Sequence, residues 1–287
     1  MKDIEARVSR AFVDACKAEL DAPKPGNVHR FAEGHGMRVS DFERSADAAA
    51  PEVARKGVPV GARILAAVRA TKQSVGQNTN LGIVLLCVPL AVAAERGERP
   101  LRTALRRVLA GLDRQDAADC FEAILLASPG GLGEAEAHNV RHAPTGTLRD
   151  AMRAAAHRDL IAQAYGDDFA AIFDTGMSAL MRARAAYHQP DWWPATSVYL
   201  TFLTTVADSH VARKFGPQRA ETVRRDAEYR FLNLTKRDSV AQLAALLEFD
   251  AELKEQGINP GTCADLTVAT LFAEKLRSTL QEVASNG

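Results

Sequence analysis

The chain has 287 residues, 47% apolar and 25% charged, which is ordinary for a globular protein able to bury a full hydrophobic core. Lys plus Arg (36) equals Asp plus Glu (36), so the basic excess of a nucleic-acid binder is absent. The longest apolar run, 81–94, falls short of the ~20 residues needed to span a bilayer, so no membrane partner is expected. The N-terminus (Met1-Lys2-Asp3-Ile4-Glu5) carries no apolar signal-peptide core. The four cysteines are widely spaced without a CxxC pair, so neither a disulfide framework nor a zinc site is signalled. The expectation is a reduced, cytoplasmic protein.

Alanine supplies 52 residues while Phe, Trp and Tyr together supply 17. Alanine loses no side-chain entropy in a helix, whereas strands favour β-branched and aromatic residues in period-2 runs that are scarce here. An all-α fold follows: a single domain, 1–287, of about ten to twelve packed helices. The first helix covers 4–20, with Ile4, Val8, Phe12 and Leu20 close to one stripe. Pro23 and Pro25 end it, and a Gly-rich loop runs to Gly36. Ser40 and Glu43 are spaced as a capping box opening a helix to Ala50. A helix from Val60 stops near Gly76, and 79–94, apolar all round, reads as a central helix kinked at Pro89. Pro100 and Asp113 open two more, ending near Ser128. Helical patterns then cover 147–164, 168–187, 195–215, 217–236, 239–256 and 262–284.

No P-loop, complete dinucleotide fingerprint, HExxH or EF-hand pattern occurs. Candidate chemistry lies in five polar clusters at helix junctions. The first is Lys24-Pro25-Gly26-Asn27-Val28-His29, extended to His35-Gly36-Met37, where glycine permits close approach and Lys24 offers a point charge suited to phosphate. The alternative is a plain helix stop and exposed loop. Gln77-Asn78-Thr79-Asn80-Leu81-Gly82 precedes the most apolar helix, a position that suits an anion; Asn78 or Thr79 can equally be an ordinary N-cap. Gly130-Gly131-Leu132-Gly133-Glu134-Ala135-Glu136, with His138-Asn139 behind it, reads either as a site or as a connection with solvated acids. Asp208-Ser209-His210 follows a largely apolar stretch, where a buried carboxylate is costly unless paired or metal-bound; salt bridges to Arg213 or Lys214 compete with function. In Asn259-Pro260-Gly261-Thr262-Cys263-Ala264-Asp265, Thr262 and Asp265 are spaced as a cap and its partner, so Asp265 is assigned first to the helix end.

Taken in order, the five clusters resemble the triphosphoribosyl-dephospho-CoA synthase family, which makes the prosthetic-group precursor of citrate lyase and malonate decarboxylase. Lys24-Pro25-Gly26 with Val28 matches its KPGxV, and Asn78-Thr79 with Gly82 part of its NTHKG. Gly133-Glu134-Ala135 matches its GEA, and Pro260-Gly261 with Ala264-Asp265-Leu266 its SPGxxADL. Asp208, with Lys214 and Gly216, is similar to its DTN segment and the basic residue and glycine beyond it. Asn80-Leu81 replaces the family's His-Lys and Leu132 the arginine before GEA, two cations for which Lys72, Arg213 or Lys214 are the available substitutes. The segments KPGNVH, GHGM and QNTNLG look more like a divergent branch linked to tetrahydromethanopterin-dependent one-carbon metabolism.

The resemblance implies an all-α transferase using ATP as pentosyl-triphosphate donor, with adenine leaving C1′ as an acceptor hydroxyl attacks, and with Mg2+ on the triphosphate. It implies Lys24 on phosphate, Asn27, Asn78, Thr79 and Asn80 on ribose or phosphate, and Lys214 as a further binding cation. Glu134, Asp208 and Asp265 become candidates for metal ligation or acid–base work, and His29, His35 and His210 for proton transfer or donor contacts. Small-molecule nucleotides are the expected partners, and a homodimer is left open. Two other readings stand beside this one: a divergent member acting on another acceptor in tetrahydromethanopterin cofactor synthesis, and a non-catalytic helical binding protein.

Overall fold

The computed structural model describes residues 2–128 and 139–285. Fourteen α-helices and no named strand are found among them: α1 (Lys2–Leu20), α2 (Val39–Val53), α3 (Val60–Val75), α4 (Leu81–Glu95), α5 (Leu101–Ala110), α6 (Arg114–Ala127), α7 (Leu148–Ala155), α8 (Leu160–Gly166), α9 (Met177–Ala185), α10 (Trp193–Thr205), α11 (Ser209–Phe215), α12 (Pro217–Phe231), α13 (Ser239–Glu255) and α14 (Gly261–Ser285). None of them is long and apolar enough to cross a membrane.

The helix count exceeds ten to twelve because two continuous patterns are broken by aspartates. Asp159 splits 147–164 into α7 and α8, its Oδ1 accepting from the Ile161 and Ala162 N–H groups at 2.9 and 3.1 Å. Asp208 splits 195–215 into α10 and α11 in the same manner. A capping carboxylate satisfies the orphan donors of a new first turn, so the chain restarts although its apolar periodicity continues. Two smaller departures follow the same local chemistry. α2 opens at Val39, with Arg38 N–H donating to Asp41 Oδ2 (2.9 Å), so the cap pair is Arg38 and Asp41 rather than Ser40 and Glu43. A π-helical turn, Ala171–Gly176, leads into α9, and a 3-10 turn, Leu234–Lys236, follows α12.

α4 holds the centre. Nearly every one of its residues is buried, Pro89 lies inside it without ending it, and α3, α5 and α14 pack around it. One contiguous apolar cluster runs from Val8 to Leu280. A small separate cluster of Leu20, Val28 and Val39 lies beneath the loop between α1 and α2. The N-termini of α4, α8, α11 and α14 and the α1–α2 loop all border one cavity.

Candidate active site

The Lys24-Pro25-Gly26-Asn27 turn is gripped from two sides. On α10, the Thr196 hydroxyl donates to Pro23 O (3.1 Å) and the Tyr199 hydroxyl to Pro25 O (2.7 Å). On α13, Asp250 Oδ1 accepts from Gly26 N–H at 2.8 Å. Lys254 Nζ donates to Asp250 Oδ2 (2.9 Å) and to Ala32 O (2.8 Å), tying the loop to the same helix. Gly26 has φ +82° and a Cβ there would lie 2.8 Å from Pro260 Cδ, so both conformation and space require glycine. Asn27 Nδ2 reaches Asn259 Oδ1 at 2.8 Å.

Lys24 is fully buried and donates to Asn27 Oδ1 (2.8 Å) and to the Glu19 carboxylate. Burial lowers the lysine pKa and raises that of Glu19, and each partner opposes the other's shift. The ammonium expected to meet phosphate is thus committed one step behind the wall, while Glu19 and Asn27 face the cavity. His29 and His35 also stand off the wall. His29 Nε2 lies 3.3 Å from Asp250 Oδ1, and His35 Nε2 lies 2.7 Å from Gly26 O. Burial holds both imidazoles below their usual pKa.

Before α4, Asn78 Oδ1 accepts from Leu81 N–H (3.1 Å). Thr79 Oγ1 meets the Ser45 hydroxyl at 2.5 Å, and Asn80 Nδ2 approaches Ser45 O at 3.4 Å. The three polar residues in a row therefore cap α4 and fasten it to α2, and all three also border the cavity.

The two aspartates, both candidates for metal ligation or acid–base work, stand in different surroundings. Asp208 Oδ1 accepts from His210 N–H (2.8 Å) and Val211 N–H (3.0 Å), and its Oδ2 from Cys263 N–H (2.8 Å). It is 2% exposed and joins the first turns of α11 and α14. Its oxygens are engaged by the backbone and it stands outside the cavity lining, so what it does here is brace the α11–α14 junction. Asp265, expected as a helix cap, caps nothing: it makes no hydrogen bond or ion pair among the described residues. Its carboxylate lies over the bare Cα of Gly82, where a Cβ would sit 2.0 Å from Oδ2. Burial first, then the nearby Asp208 and Glu19 charges, raise its pKa well above 3.8, with Arg213 opposing. The group opens onto the cavity although protein crowds it closely.

His210 borders the same cavity, its pKa lowered by burial against the opposing Asp208 charge. Arg213 pairs with Asp159 Oδ2, and both line the cavity with Arg158 and Lys72. Lys214 is turned away, 3.5 Å from Gly257 O and over the Phe215 ring. The cavity encloses about 780 Å3, well within the 300–1,000 Å3 range of small-molecule sites. It gathers Asn27, Asn78, Thr79, Asn80, His210 and Asp265. Lys24, His29, His35, Asp208 and Lys214 stand outside its lining, and Glu134 and His138 lie outside the described residues. No group of three or more His, Cys, Asp or Glu side chains able to hold a metal occurs among the described residues.

Glu19, Arg158 and Asp159 line the cavity although no sequence cluster includes them, whereas Asn259 stands within the fifth cluster. Glu19 and Asp159 carry no such signal, because their place depends on how helix ends meet.

A family model described as ATP:dephospho-CoA triphosphoribosyl transferase matches residues 5–283. A probable 2-(5''-triphosphoribosyl)-3'-dephosphocoenzyme-A synthase of Pseudomonas savastanoi pv. phaseolicola is 30% identical over 116 residues, which are 40% of this chain and 39% of that protein. That likeness spans about two fifths of the relative's own length. A crystal structure from Archaeoglobus fulgidus, provisionally named triphosphoribosyl-dephospho-CoA synthase, superposes with a TM-score of 0.62 at 25% identity, covering 80% of this chain and 95% of its own. With the family's pattern met along nearly the whole sequence, this chain belongs to the ATP:dephospho-CoA triphosphoribosyl transferase family.

Proposed function

We propose that the protein transfers the triphosphoribosyl group of ATP to a hydroxyl of dephospho-CoA and releases adenine. The observation that carries this reading is the meeting, at one cavity, of three family segments far apart in sequence: Asn27, Asn78-Thr79-Asn80 and Asp265. In the reaction the C1′–N9 bond of ATP breaks and an acceptor O–C1′ bond forms. The proton leaving the hydroxyl ends on adenine, so no further reactant is consumed. The ribose passes through an oxocarbenium-like state, as in glycoside hydrolysis. His210, whose pKa burial lowers against the opposing Asp208 charge, is the base that takes the hydroxyl proton. Asn27, Asn78 and Asn259 offer hydrogen bonds to ribose, and Arg213, Arg158 and Lys72 offer positive charge to the triphosphate.

The donor set suits Mg2+. That ion usually binds through one or two carboxylates, with waters and substrate phosphates completing its shell. Asp265 is a cavity carboxylate without a protein partner, set among Asp208, Glu19 and Asp159, a surrounding that favours a cation. Asp265 would hold the ion, which supplies charge neutralisation to the triphosphate.

A second reading keeps this chemistry and changes the acceptor to a precursor of a tetrahydromethanopterin-type cofactor. It is favoured by Leu81, buried at the start of α4 where the family carries a lysine. The test is incubation with ATP, Mg2+ and dephospho-CoA, with free adenine followed by chromatography. Adenine that depends on dephospho-CoA is the expected result. Tight ATP binding without adenine release moves the reading to another acceptor, and no ATP binding by calorimetry moves it to a non-catalytic helical protein.

A further inference from the structure

The cavity has a wall for which phosphate chemistry has no use. On α7, Leu148, Ala151, Met152 and Ala155 follow helical spacing and turn one apolar stripe into the cavity; on α6, Phe121 and Ile124 do the same. None of the six is charged. The α7 stripe runs over the eight residues of the helix, about 10 Å from first to last at 1.5 Å per residue. The polar groups of the cavity come from other elements: Glu19 at the end of α1, Asn27 in the α1–α2 loop, Lys72 on α3, the loop before α4, the Arg158-Asp159 turn beyond α7, α11 and the segment that opens α14.

Leu148, Phe121, Ala151 and Met152 are buried and Ile124 and Ala155 half-buried, so the wall presents a packed apolar lining, and burial at about 25 cal/mol per Å2 favours an apolar occupant against it. The substrates of the proposed reaction divide along the same line. Triphosphate and ribose need cations and hydrogen-bond partners. Dephospho-CoA carries, beyond its diphosphate, a long uncharged pantetheine arm. Resting on the transferase reading, we propose that the α6–α7 wall holds the pantetheine arm of the acceptor and so sets acceptor specificity. The gem-dimethyl and methylene groups of the arm lie against the apolar stripe, and Ser128 and Asn139 at its edge offer hydrogen bonds to the arm's amides.

The experiment compares wild type with Ala155→Leu and Ala151→Leu, each of which adds three carbons to the stripe. Ala155 is half-buried and Ala151 is buried, so Ala155→Leu remains informative if the other variant folds poorly. Adenine release is measured with dephospho-CoA and with ADP, the same acceptor without the arm. Crowding of this kind is expected to raise KM for dephospho-CoA about tenfold in a folded variant, while KM for ATP stays within about twofold. Transfer to ADP is expected to match wild type. A rise in KM for ATP with that for dephospho-CoA unchanged places the adenine base on the wall and overturns the proposal. Unchanged KM values for both substrates overturn it as well. Wild type that releases no adenine with any acceptor removes the transferase reading itself, and this inference with it.

Discussion

Replacing Asp208 by alanine removes three acceptor contacts at once: from His210 N–H and Val211 N–H at the start of α11, and from Cys263 N–H at the start of α14. Loss of an N-cap costs about 1 kcal/mol. Cys263 is fully buried, so its N–H is left without water or partner, which costs a further ~1–3 kcal/mol. The sum, about 2–4 kcal/mol, corresponds to a fall in melting temperature of roughly 4–8 °C at ~2 °C per kcal/mol for a chain of this size. Asp208→Asn can keep the α11 bonds through its carbonyl oxygen while its amide opposes Cys263 N–H, so it should lose about 1–3 kcal/mol. Asp265→Asn makes the contrast: it breaks no hydrogen bond and takes one carboxyl out of the crowd formed with Asp208 and Glu19, so its melting temperature should equal or exceed wild type while adenine release is lost. Thermal melts by circular dichroism, paired with adenine assays, read both quantities. An Asp208→Ala protein that melts with wild type yet has no activity refutes the bracing role. An Asp265→Asn protein that is active refutes the site assignment.

Gly82→Ala places a Cβ 2.0 Å from Asp265 Oδ2, so the carboxylate must move. Overpacking of ~1–3 kcal/mol is partly offset by the ~1 kcal/mol better helix propensity of alanine, and activity should fall far more than melting temperature. Lys24→Met leaves Glu19 buried without its cation and should cost about 3–5 kcal/mol in urea titration, much of it recovered in a Lys24→Met/Glu19→Gln double variant; additive losses would contradict the pairing. Burial keeps the pKa of His210 below 6.5, so kcat/KM should be flat from pH 7 upward and fall only on an acid limb centred below 6.5. A limb centred above 7, or one unchanged in His210→Gln, would exclude His210 as the base.

The helical class and the order of the helices are legible in alanine content and apolar periodicity. Their breaks are not, because Asp159 and Asp208 interrupt apolar patterns by capping, and the same residue type elsewhere on a helix simply faces water. The two site aspartates show the limit most clearly. Asp208 follows an apolar stretch and Asp265 stands at cap spacing, yet the family likeness makes both candidates for chemistry, and nothing local tells them apart. The α11–α14 junction separates them, since it delivers Cys263 N–H to Asp208 and lays Asp265 over Gly82. Asn78, Thr79 and Asn80 are legible as a polar run before an apolar helix and Asn27 as part of the Lys24-Pro25-Gly26 loop; here all four border the cavity, and the first three also fasten α4. Lys24 was singled out for its charge, yet Glu19, five residues earlier on α1, takes that charge. Only packing brings the two together.

Nucleotide transfer is proposed for the cavity where α4, α11 and α14 begin. A crystal structure with a non-reactive ATP analogue and Mg2+ is the decisive experiment. The triphosphate should lie within hydrogen-bond reach of Arg213, with the ion on Asp265 and the ribose C1′ facing His210. A nucleotide bound elsewhere, with this cavity holding only water, would contradict it.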